Sequence, residues 1–258
     1  MTVAAIGLDA GSTTFKLVAL DAHGAIVATR LAAAEPRIEV QAESLIAEVL
    51  AETQSPSREA VEIVATGYGR KLIKSASRNV TEITCHARGV FAELGRPGTL
   101  VDIGGQDSKV IKIGERGRAV DFVMNDKCAA GTGRFLENTA ARLGVPLDEL
   151  GPRAMASATE ERISSTCTVF AESEIISLLA HGSELPPILR GLHRSLISRV
   201  VAMIRGLGLT PPLMLSGGVA RNEAVRALLG EATGQTVLVP TRPQLMGAYG
   251  AALLALDR

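Results

Sequence analysis

The sequence predicts an α/β protein made of two related halves, and three observations support this class. Apolar residues make up 47% of the chain and are mostly Ala, Val, Leu and Ile, whereas aromatic residues reach only 3%, a composition that suits buried strands covered by helices. A short apolar strand that ends in Asp, one residue and Gly, and then leads into further strands, occurs twice, in residues 4–31 and 99–124. Three glycine-rich turns each follow directly after a strand.

Length, charge and cysteine content limit the number of domains, the kinds of partner and the cellular compartment. The chain has 258 residues, enough for one large domain or two ordinary ones. Lys plus Arg and Asp plus Glu balance at 27 each, so the charge gives no reason to expect a nucleic acid or a membrane surface as partner. No run approaches the ~18 apolar residues of a membrane span, and the first residues lack the features of a signal peptide. Three cysteines do not form a secreted disulfide framework, so we expect a cytoplasmic protein.

The first half opens with a strand at residues 4–9 and a hairpin suited to a phosphate. Asp9 ends the strand, and the tip that follows offers main-chain N–H groups and hydroxyls to a phosphate. Lys16 lies just beyond and supplies a cation, while the Asp9 carboxylate suits a hydrated Mg²⁺. Turns of this composition also form ordinary hairpin tips, so this turn alone does not decide the function. The tip residues are Gly11, Ser12, Thr13 and Thr14.

The remaining elements of the first half follow from periodicity and turn residues. We expect strands over 15–20, 25–31, 62–65 and 80–84, and helices over 39–52, from about residue 71, and over 85–94. Gly95-Arg96-Pro97-Gly98 is the clearest break in the chain and predicts subdomains of residues 1–95 and 98–258. The final helix, over 246–256, is a candidate to pack back on the first subdomain.

The second half repeats the strand and turn of the first. A second turn of Gly104, Gly105 and Gln106 follows Asp102, as the first turn follows Asp9. Two copies of such a hairpin predict duplicated halves that face each other over a nucleotide. A third glycine turn, at 216–222, joins a strand to a helix and suits close approach by an adenosine. The other elements expected here are strands over 99–103, 108–113, 118–124, 213–215 and 237–239, and helices from 135, over 147–150, 169–181, 186–205 and after 222.

Two cysteines stand near predicted helix starts. Cys128 precedes the helix from residue 135, and Cys167 precedes the helix from 169, where the helix dipole would stabilise a thiolate. Two thiolates are too few for a zinc or iron–sulfur site, but two copies of the chain about a two-fold axis supply four. One 4Fe-4S cluster bridging a homodimer is therefore our hypothesis, and two small buried apolar side chains are the alternative. Cys85 beside His86 lacks further ligands, and we expect His193 at the surface or between subdomains.

Several motifs resemble one family closely. Three glycine turns in this order, with Asp at the first two, resemble the acetate and sugar kinase, heat-shock ATPase and actin superfamily. Within it, Ala-Thr-Gly-Tyr-Gly-Arg at 65–70, Asp-Ile-Gly-Gly-Gln-Asp at 102–107 and the two cysteine segments at 124–135 and 163–174 are similar to the 2-hydroxyacyl-CoA dehydratase activators. The activators belong with the ATPase subunits of benzoyl-CoA reductase. The segment 244–249 resembles those subunits more than it resembles the activators. The similarity runs essentially from end to end.

The resemblance implies two actin-like, ribonuclease H-like subdomains with a nucleotide cleft between them. It also implies ATP or ADP with Mg²⁺ in each copy, and one 4Fe-4S cluster held by two cysteines from each copy. The residues implied are Asp9, Asp102 and Gln106 for catalysis, Gly11, Ser12, Thr13, Thr14, Lys16, Gly104, Gly105 and Gln106 for phosphate, Gly217, Gly218, Asn222 and Gln244 for adenosine, and Cys128 and Cys167 for the cluster.

The activity implied is electron transfer driven by ATP hydrolysis. A ferredoxin or flavodoxin would supply the electron, and a 2-hydroxyacyl-CoA dehydratase or a benzoyl-CoA reductase-type enzyme would receive it, under anaerobic conditions. Two other functions remain open on the same fold: a small-molecule kinase, for which Asp126 is the candidate base, and a nucleotide-sensing module without catalysis. The sequence does not identify the acyl-CoA, and it does not separate a dissociable activator from a permanent subunit.

Overall fold

The structure, a computed structural model, describes residues 2–55, 58–164 and 167–257. The chain divides into two units: the first contains Met1–Pro97, Ile113–Val120 and Gln244–Arg258, and the second contains Gly98–Lys112 and Asp121–Pro243. The last helix therefore belongs to the first unit. Among the helices described, none has the length and apolar character that crossing a bilayer requires.

Ten strands and eight α-helices are found in the described residues. In chain order they are β1 (Ala5–Ala10), β2 (Thr14–Leu20), β3 (Ile26–Ala33), α1 (Ile38–Glu52), β4 (Glu62–Thr66), β5 (Arg78–Asn79), α2 (Glu82–Leu94), β6 (Gly98–Ile103), β7 (Ser108–Ile113), β8 (Ala119–Asn125), α3 (Gly133–Leu143), α4 (Leu150–Met155), α5 (Thr168–Ala180), α6 (Leu185–Leu207), β9 (Leu213–Ser216), α7 (Glu223–Thr233), β10 (Val237–Leu238) and α8 (Met246–Leu256).

A five-stranded sheet in the order β3-β2-β1-β4-β5 forms the centre of the first unit. Strand β1 pairs antiparallel with β2 and parallel with β4, and all its residues are buried. Both faces of β1 are covered: Ile6 and Leu8 belong to a cluster with residues of α1, and Ala5 packs with Ala251 and Ala255 of α8. This explains why β1 is a continuous apolar run and does not alternate with polar residues.

Two expectations for the first unit are wrong. The strand expected over 80–84 is absent, because Thr81 caps helix α2 by accepting a hydrogen bond from Thr84 N, and Glu82 begins that helix. Threonine is a favoured N-cap residue, and this local preference prevails over the β-branched character of the segment. The helix expected from about residue 71 is only a short 3₁₀ turn, Arg70–Leu72.

The second unit contains the other sheet, in the order β10-β9-β6-β7-β8. Strand β9 pairs in parallel with β6 and β10, and β8 lies at the edge. Helices α3, α6 and α7 supply most of a large apolar cluster together with β6 and β9. One expectation fails here: His193 on α6 is fully buried, since it contacts the helix-capping residue of α7 described below.

Candidate nucleotide-binding turns and cysteine loops

The first phosphate turn joins β1 to β2 and brings a carboxylate beside an ammonium. Asp9 and Lys16 are directly opposite each other in the antiparallel register, and Lys16 Nζ lies 3.1 Å from Asp9 Oδ2. The turn closes with a hydrogen bond from Gly11 N to the carbonyl oxygen of Thr14 at 3.1 Å. Ser12 is exposed at its tip. The sequence predicted all of these residues, and the structure brings them together as one hairpin.

Glycines keep side chains away from the Asp9 carboxylate, which is only 5% exposed. A Cβ at Gly67, whose φ is +89°, would lie 2.6 Å from Asp9 Oδ1. A Cβ at Gly247 would lie 3.2 Å from Asp9 Oδ2 and 2.8 Å from Nε2 of the buried His86. His86 therefore faces the same point as Asp9. No sequence pattern indicated this placement, because the two residues are far apart in the chain.

The second phosphate turn joins β6 to β7 and has a more heavily charged interior. Gly104 N donates to the carbonyl oxygen of Asp107 at 2.9 Å, which repeats the closure of the first turn. Lys109 Nζ lies 2.6 Å from Asp107 Oδ2 and 3.5 Å from Asp102 Oδ2. Asp102 Oδ1 also accepts a hydrogen bond from Ser216 Oγ at 2.8 Å. The candidate residue Gln106 is exposed at the tip.

The second turn is hydrogen-bonded to the start of helix α3. Gly133 N donates to Gly104 O, and Arg134 N donates to Gly105 O, both at 2.8 Å. A Cβ at Gly133 would lie 3.1 Å from Gly104 O, so a glycine permits this approach. The phosphate turn and the helix that follows the Cys128 loop are thus joined through main-chain atoms.

The third turn places Gly217 against the strand that carries Asp102. Gly217 has a φ of +89°, and a Cβ there would lie 2.2 Å from Ile103 O. Its N–H donates to Pro243 O at 2.9 Å. Gly218 is exposed, and Gln244 is half-buried in the last segment of the first unit. The glycine pair was expected to allow close approach by an adenosine. At Gly217 the close approach is instead to the main chain of Ile103.

Asn222, a candidate adenosine contact, has a structural role in the second unit. Its Oδ1 accepts from Val225 N at 3.2 Å and caps helix α7. Its Nδ2 lies 3.0 Å from His193 Nε2, and His193 Nδ1 lies 2.7 Å from Leu189 O. Burial lowers the pKa of His193, although the hydrogen bond to the Leu189 carbonyl raises it in part. The geometry suits a neutral ring that donates from Nδ1 and accepts at Nε2.

Cys128 lies in a loop that an asparagine side chain holds in place. Asn125 Nδ2 donates to Cys128 O at 2.9 Å and to Ala130 O at 3.0 Å. The N-cap of helix α3 is Thr132, and the helix begins at Gly133. Cys128 therefore lies in the loop before the helix and not in its first turn. The helix dipole expected at Cys128 therefore does not act on it directly, because its effect fades within the first turn.

Cys167, in contrast, is the N-cap residue of helix α5, which begins one residue before the start expected at residue 169. Ala171 N donates to its carbonyl oxygen at 3.0 Å. Cys128 and Cys167 are both free and half-buried. Cys85 is fully buried, and burial raises its pKa to about 12. The hydroxyl caps expected at residues 165 and 166 lie outside the described residues.

Known proteins are similar to this chain in sequence, two of them over nearly the whole length of both chains. The chain is 42% identical to the 2-hydroxyisocaproyl-CoA dehydratase activator of Clostridioides difficile, over 98% of this chain and 94% of that one. It is 41% identical to the (R)-2-hydroxyglutaryl-CoA dehydratase activating ATPase of Acidaminococcus fermentans, over 100% and 99%. A benzoyl-CoA reductase polypeptide of Thauera aromatica is 32% identical, over 74% of this chain and 70% of that one.

Solved structures agree with the sequence relatives. The Acidaminococcus fermentans (R)-2-hydroxyglutaryl-CoA dehydratase component A has a TM-score of 0.92 at 40% identity, covering 100% of this chain and 98% of that one. The Clostridium difficile activator with bound ADPNP has a TM-score of 0.89 at 40% identity, covering 98% and 94%. A glucokinase from Streptomyces griseus shares only the fold, at 16% identity and a TM-score of 0.59 over 98% and 99% of the chains.

These likenesses confirm the α/β fold with two actin-like subdomains and the activity of an ATPase. A model of one family matches residues 6–255, nearly the whole chain. The chain belongs to the BadF/BadG/BcrA/BcrD ATPase family.

Proposed function

We propose that this chain is an ATP-hydrolysing activator that passes a low-potential electron to a 2-hydroxyacyl-CoA dehydratase. Two copies hold one 4Fe-4S cluster between them, and each copy binds its own ATP with Mg²⁺. A ferredoxin or flavodoxin in the cytoplasm of an anaerobic cell supplies the electron. One observation carries the proposal: two dehydratase activators match 98–100% of the chain at 41–42% identity, whereas the benzoyl-CoA reductase polypeptide is only 32% identical, over 74% of the chain.

The cysteine chemistry fits a cluster shared by two copies. Cys128 and Cys167 are free and within reach of solvent, while Cys85 is buried with a pKa of about 12 and forms no thiolate near neutral pH. Within residues 2–55, 58–164 and 167–257 there is no group of three or more His, Cys, Asp or Glu side chains suited to one metal ion. A 4Fe-4S cluster takes four thiolates, and a two-fold dimer supplies two from each copy.

Exposed apolar side chains beside both cysteines support the dimer. Phe122 and Met124 on β8, the strand that leads to Cys128, are 50% and 36% exposed. Val169 and Phe170, in the first turn of α5 after Cys167, are each 64% exposed. Strand β8 is also an edge of its sheet. Large apolar side chains and a free strand edge commonly mark a surface that another chain covers.

The first turn holds the groups that bind and orient ATP. Lys16 carries a positive charge toward the phosphates, and the main-chain N–H groups of Ser12 and Thr13 donate to phosphate oxygens. Asp9, enclosed by glycines, would hold Mg²⁺ through its water shell and would orient the attacking water. In the second turn, the exposed Gln106 is the candidate for contacts with a phosphate or a water, and Asp102 holds the turn in place. The exposed Gly218 and the half-buried Gln244 are the candidates for contacts with the adenosine.

The hydrogen bonds from helix α3 to the second turn link ATP hydrolysis to Cys128. Loss of the γ-phosphate changes the position of Gly104 and Gly105, and Gly133 and Arg134 follow because they donate to these carbonyl groups. The loop before α3 carries Cys128, whose main chain is held by Asn125. When bound, the cluster supplies the low-potential electron, and its potential depends on hydrogen bonds and exposure at the cysteine sulfurs.

Anaerobic purification and metal analysis test the proposal. We expect a brown dimer with about two iron and two sulfide ions per chain, as one cluster between two copies requires. Reduction of a dehydratase partner should need hydrolysable ATP, and a non-hydrolysable analogue should support at most one turnover. A colourless monomer, or sustained turnover with the analogue, would contradict the proposal. Co-purification of a permanent acyl-CoA reductase complex would instead favour a component of a benzoyl-CoA reductase.

A further inference from the structure

The two phosphate turns have the same main-chain design. In each, a glycine N–H donates to the carbonyl oxygen three residues further on: Gly11 to Thr14 at 3.1 Å, and Gly104 to Asp107 at 2.9 Å. An aspartate stands two residues before each glycine, and a lysine stands five residues after it. The turns can therefore be compared residue by residue, and differences between them show what each one contributes.

The space that a side chain would occupy at each of the two glycines is filled by a group of its own turn, and these groups have opposite charges. A Cβ at Gly11 would lie 3.1 Å from Lys16 Nζ, whereas a Cβ at Gly104 would lie 2.5 Å from Asp107 Oδ1. The first turn thus presents an ammonium where the second presents a carboxylate. An ammonium suits a phosphate oxygen, and a carboxylate suits a hydrated divalent cation.

Lys109 does not have the same role as Lys16, although the two lysines occupy equivalent positions in their turns. Its side chain is 2% exposed, and its Nζ lies 2.6 Å from Asp107 Oδ2 and 3.5 Å from Asp102 Oδ2. Lys16 is 15% exposed and pairs with Asp9. The buried ammonium of Lys109 is therefore engaged by carboxylates of its own hairpin, and it holds Asp107 through one oxygen.

The two carboxylates of the second turn differ in what they can still contact. Asp102 has both oxygens engaged, Oδ1 by Ser216 Oγ at 2.8 Å and Oδ2 by Lys109, and its side chain is 3% exposed. The Asp107 side chain is 26% exposed, and its Oδ1 faces the bare side of Gly104. Asp107 is consequently the carboxylate that the second turn offers to a ligand.

We propose that Asp107 is the residue through which the second turn positions the divalent cation that accompanies ATP. Lys109 fixes Asp107 Oδ2, so that Oδ1 accepts a hydrogen bond from a water of the cation. Asp102 is the buried anchor that holds Lys109 and Ser216, a different part from the one the sequence assigned to it. The inference rests on the ATP site of the proposed function and is independent of the iron–sulfur cluster.

Binding of Mn²⁺, a paramagnetic substitute for Mg²⁺, tests this assignment directly. The full-length, anaerobically prepared protein with ADP bound is titrated with Mn²⁺, and free Mn²⁺ is measured by electron paramagnetic resonance. We expect Asp107→Asn to weaken Mn²⁺ binding about tenfold or more and to lower kcat for ATP hydrolysis about 100-fold. Affinity for ADP without metal should change less than about threefold, because the phosphate donors remain. The exposed Asp148→Asn is the matched control, with unchanged binding and rate.

A folded Asp107→Asn protein that binds Mn²⁺ with wild-type affinity overturns the proposal. Thermal unfolding is recorded, since the substitution also removes a partner of Lys109. If the asparagine variant does not fold, Asp107→Glu takes its place: it keeps the charge and shifts the oxygens. Weaker Mn²⁺ binding by the glutamate variant supports the proposal, and wild-type binding and rate overturn it. Absence of metal-dependent ADP binding in the wild type would contradict the Mg²⁺ site of the proposed function.

Discussion

Gly133 donates its main-chain N–H to the carbonyl oxygen of Gly104 over 2.8 Å. This hydrogen bond connects the second phosphate turn to the first residue of α3, the helix that follows the Cys128 loop. Arg134 repeats the contact to Gly105 at 2.8 Å. A chain that couples ATP hydrolysis to electron transfer needs a stiff connection between its nucleotide and its redox group, and these main-chain contacts provide one within the second unit.

Substitution of Gly133 by alanine is expected to weaken this connection. The new Cβ would lie 3.1 Å from Gly104 O and 3.2 Å from Val219 Cγ2, so the helix start must move by a few tenths of an ångström. We expect ATP hydrolysis to fall less than about threefold and ATP-driven electron transfer to fall about tenfold, a coupling loss within the usual range of about 0.5–2 kcal/mol. Parallel measurement of phosphate release and of electrons delivered checks this.

Gly206 provides the matched control for that experiment. It lies near the end of helix α6, and a Cβ there meets no atom within 4 Å. Gly206→Ala should leave both rates unchanged and stabilise the helix slightly, by about 1 kcal/mol at most. Equal loss of hydrolysis and electron transfer in Gly133→Ala would show that the contact serves the nucleotide turn alone.

The sequence was sufficient for the hairpins but not for the contacts between distant segments. The spacing of Asp9 and Lys16 places them opposite each other in any antiparallel pair with this turn, so a pattern within eight residues was enough. His86 and Gly247 reach Asp9 only through the packing of α2 and α8 on the sheet. No local pattern records that packing, which is why neither residue was foreseen at the site.

Errors in the sequence prediction have the same origin. The burial of His193 depends on Asn222, which approaches it from the cap of another helix, so a polar residue in an amphipathic helix was expected at the surface or between subdomains. Asp107 was not a candidate from the sequence, which shows a carboxylate in a turn but not which carboxylate Lys109 and Ser216 engage. For Cys167 the local signal of a helix start was enough, and the helix does begin directly after it.

The two turn lysines should respond differently to replacement by methionine. Lys109→Met would leave Asp102 and Asp107 without their buried cation, and we expect a loss of about 3–5 kcal/mol in the free energy of unfolding. Lys16→Met removes a less deeply buried ammonium, 15% exposed, from a single buried carboxylate, so we expect a smaller loss of stability, while affinity for ATP falls about tenfold or more. Chemical denaturation and nucleotide titration of both variants check the contrast. Equal destabilisation by the two variants would contradict it.

Substitution of each cysteine by alanine distinguishes the proposed cluster ligands, Cys128 and Cys167, from the buried Cys85. Cys128→Ala and Cys167→Ala should each abolish bound iron and the visible absorption of the protein, because each removes two of the four thiolates in a dimer. Cys85→Ala should retain both, since Cys85 lies in the apolar packing between α2 and α8. Iron and sulfide analysis of the three proteins, with ADP affinity as the test of folding, checks this. Loss of iron from Cys85→Ala with unchanged ADP binding would disprove the ligand assignment.

The buried His193 predicts a loss of stability in mild acid. Its pKa is lowered in the folded chain from the ordinary value of 6.5, chiefly by burial, so the unfolded chain takes up its proton at a higher pH than the folded chain does. The contribution of His193 to the free energy of unfolding should therefore be constant well above that value and fall as the pH drops through it, by at most about 1.4 kcal/mol per pH unit for one proton.

Burial is the chief reason why protonation is disfavoured at His193, and the geometry of the α7 cap adds to it. Asn222 Oδ1 accepts from Val225 N at 3.2 Å, which fixes the amide so that Nδ2 points toward His193 Nε2. A protonated Nε2 would meet another donor there, whereas a neutral ring accepts the amide hydrogen. His193→Gln should flatten the dependence of unfolding free energy on pH between about 7 and 5.5, and His181→Gln, at an exposed position, should not. Denaturant unfolding at several pH values distinguishes them, and an unaltered slope in His193→Gln would assign the acid sensitivity to other groups.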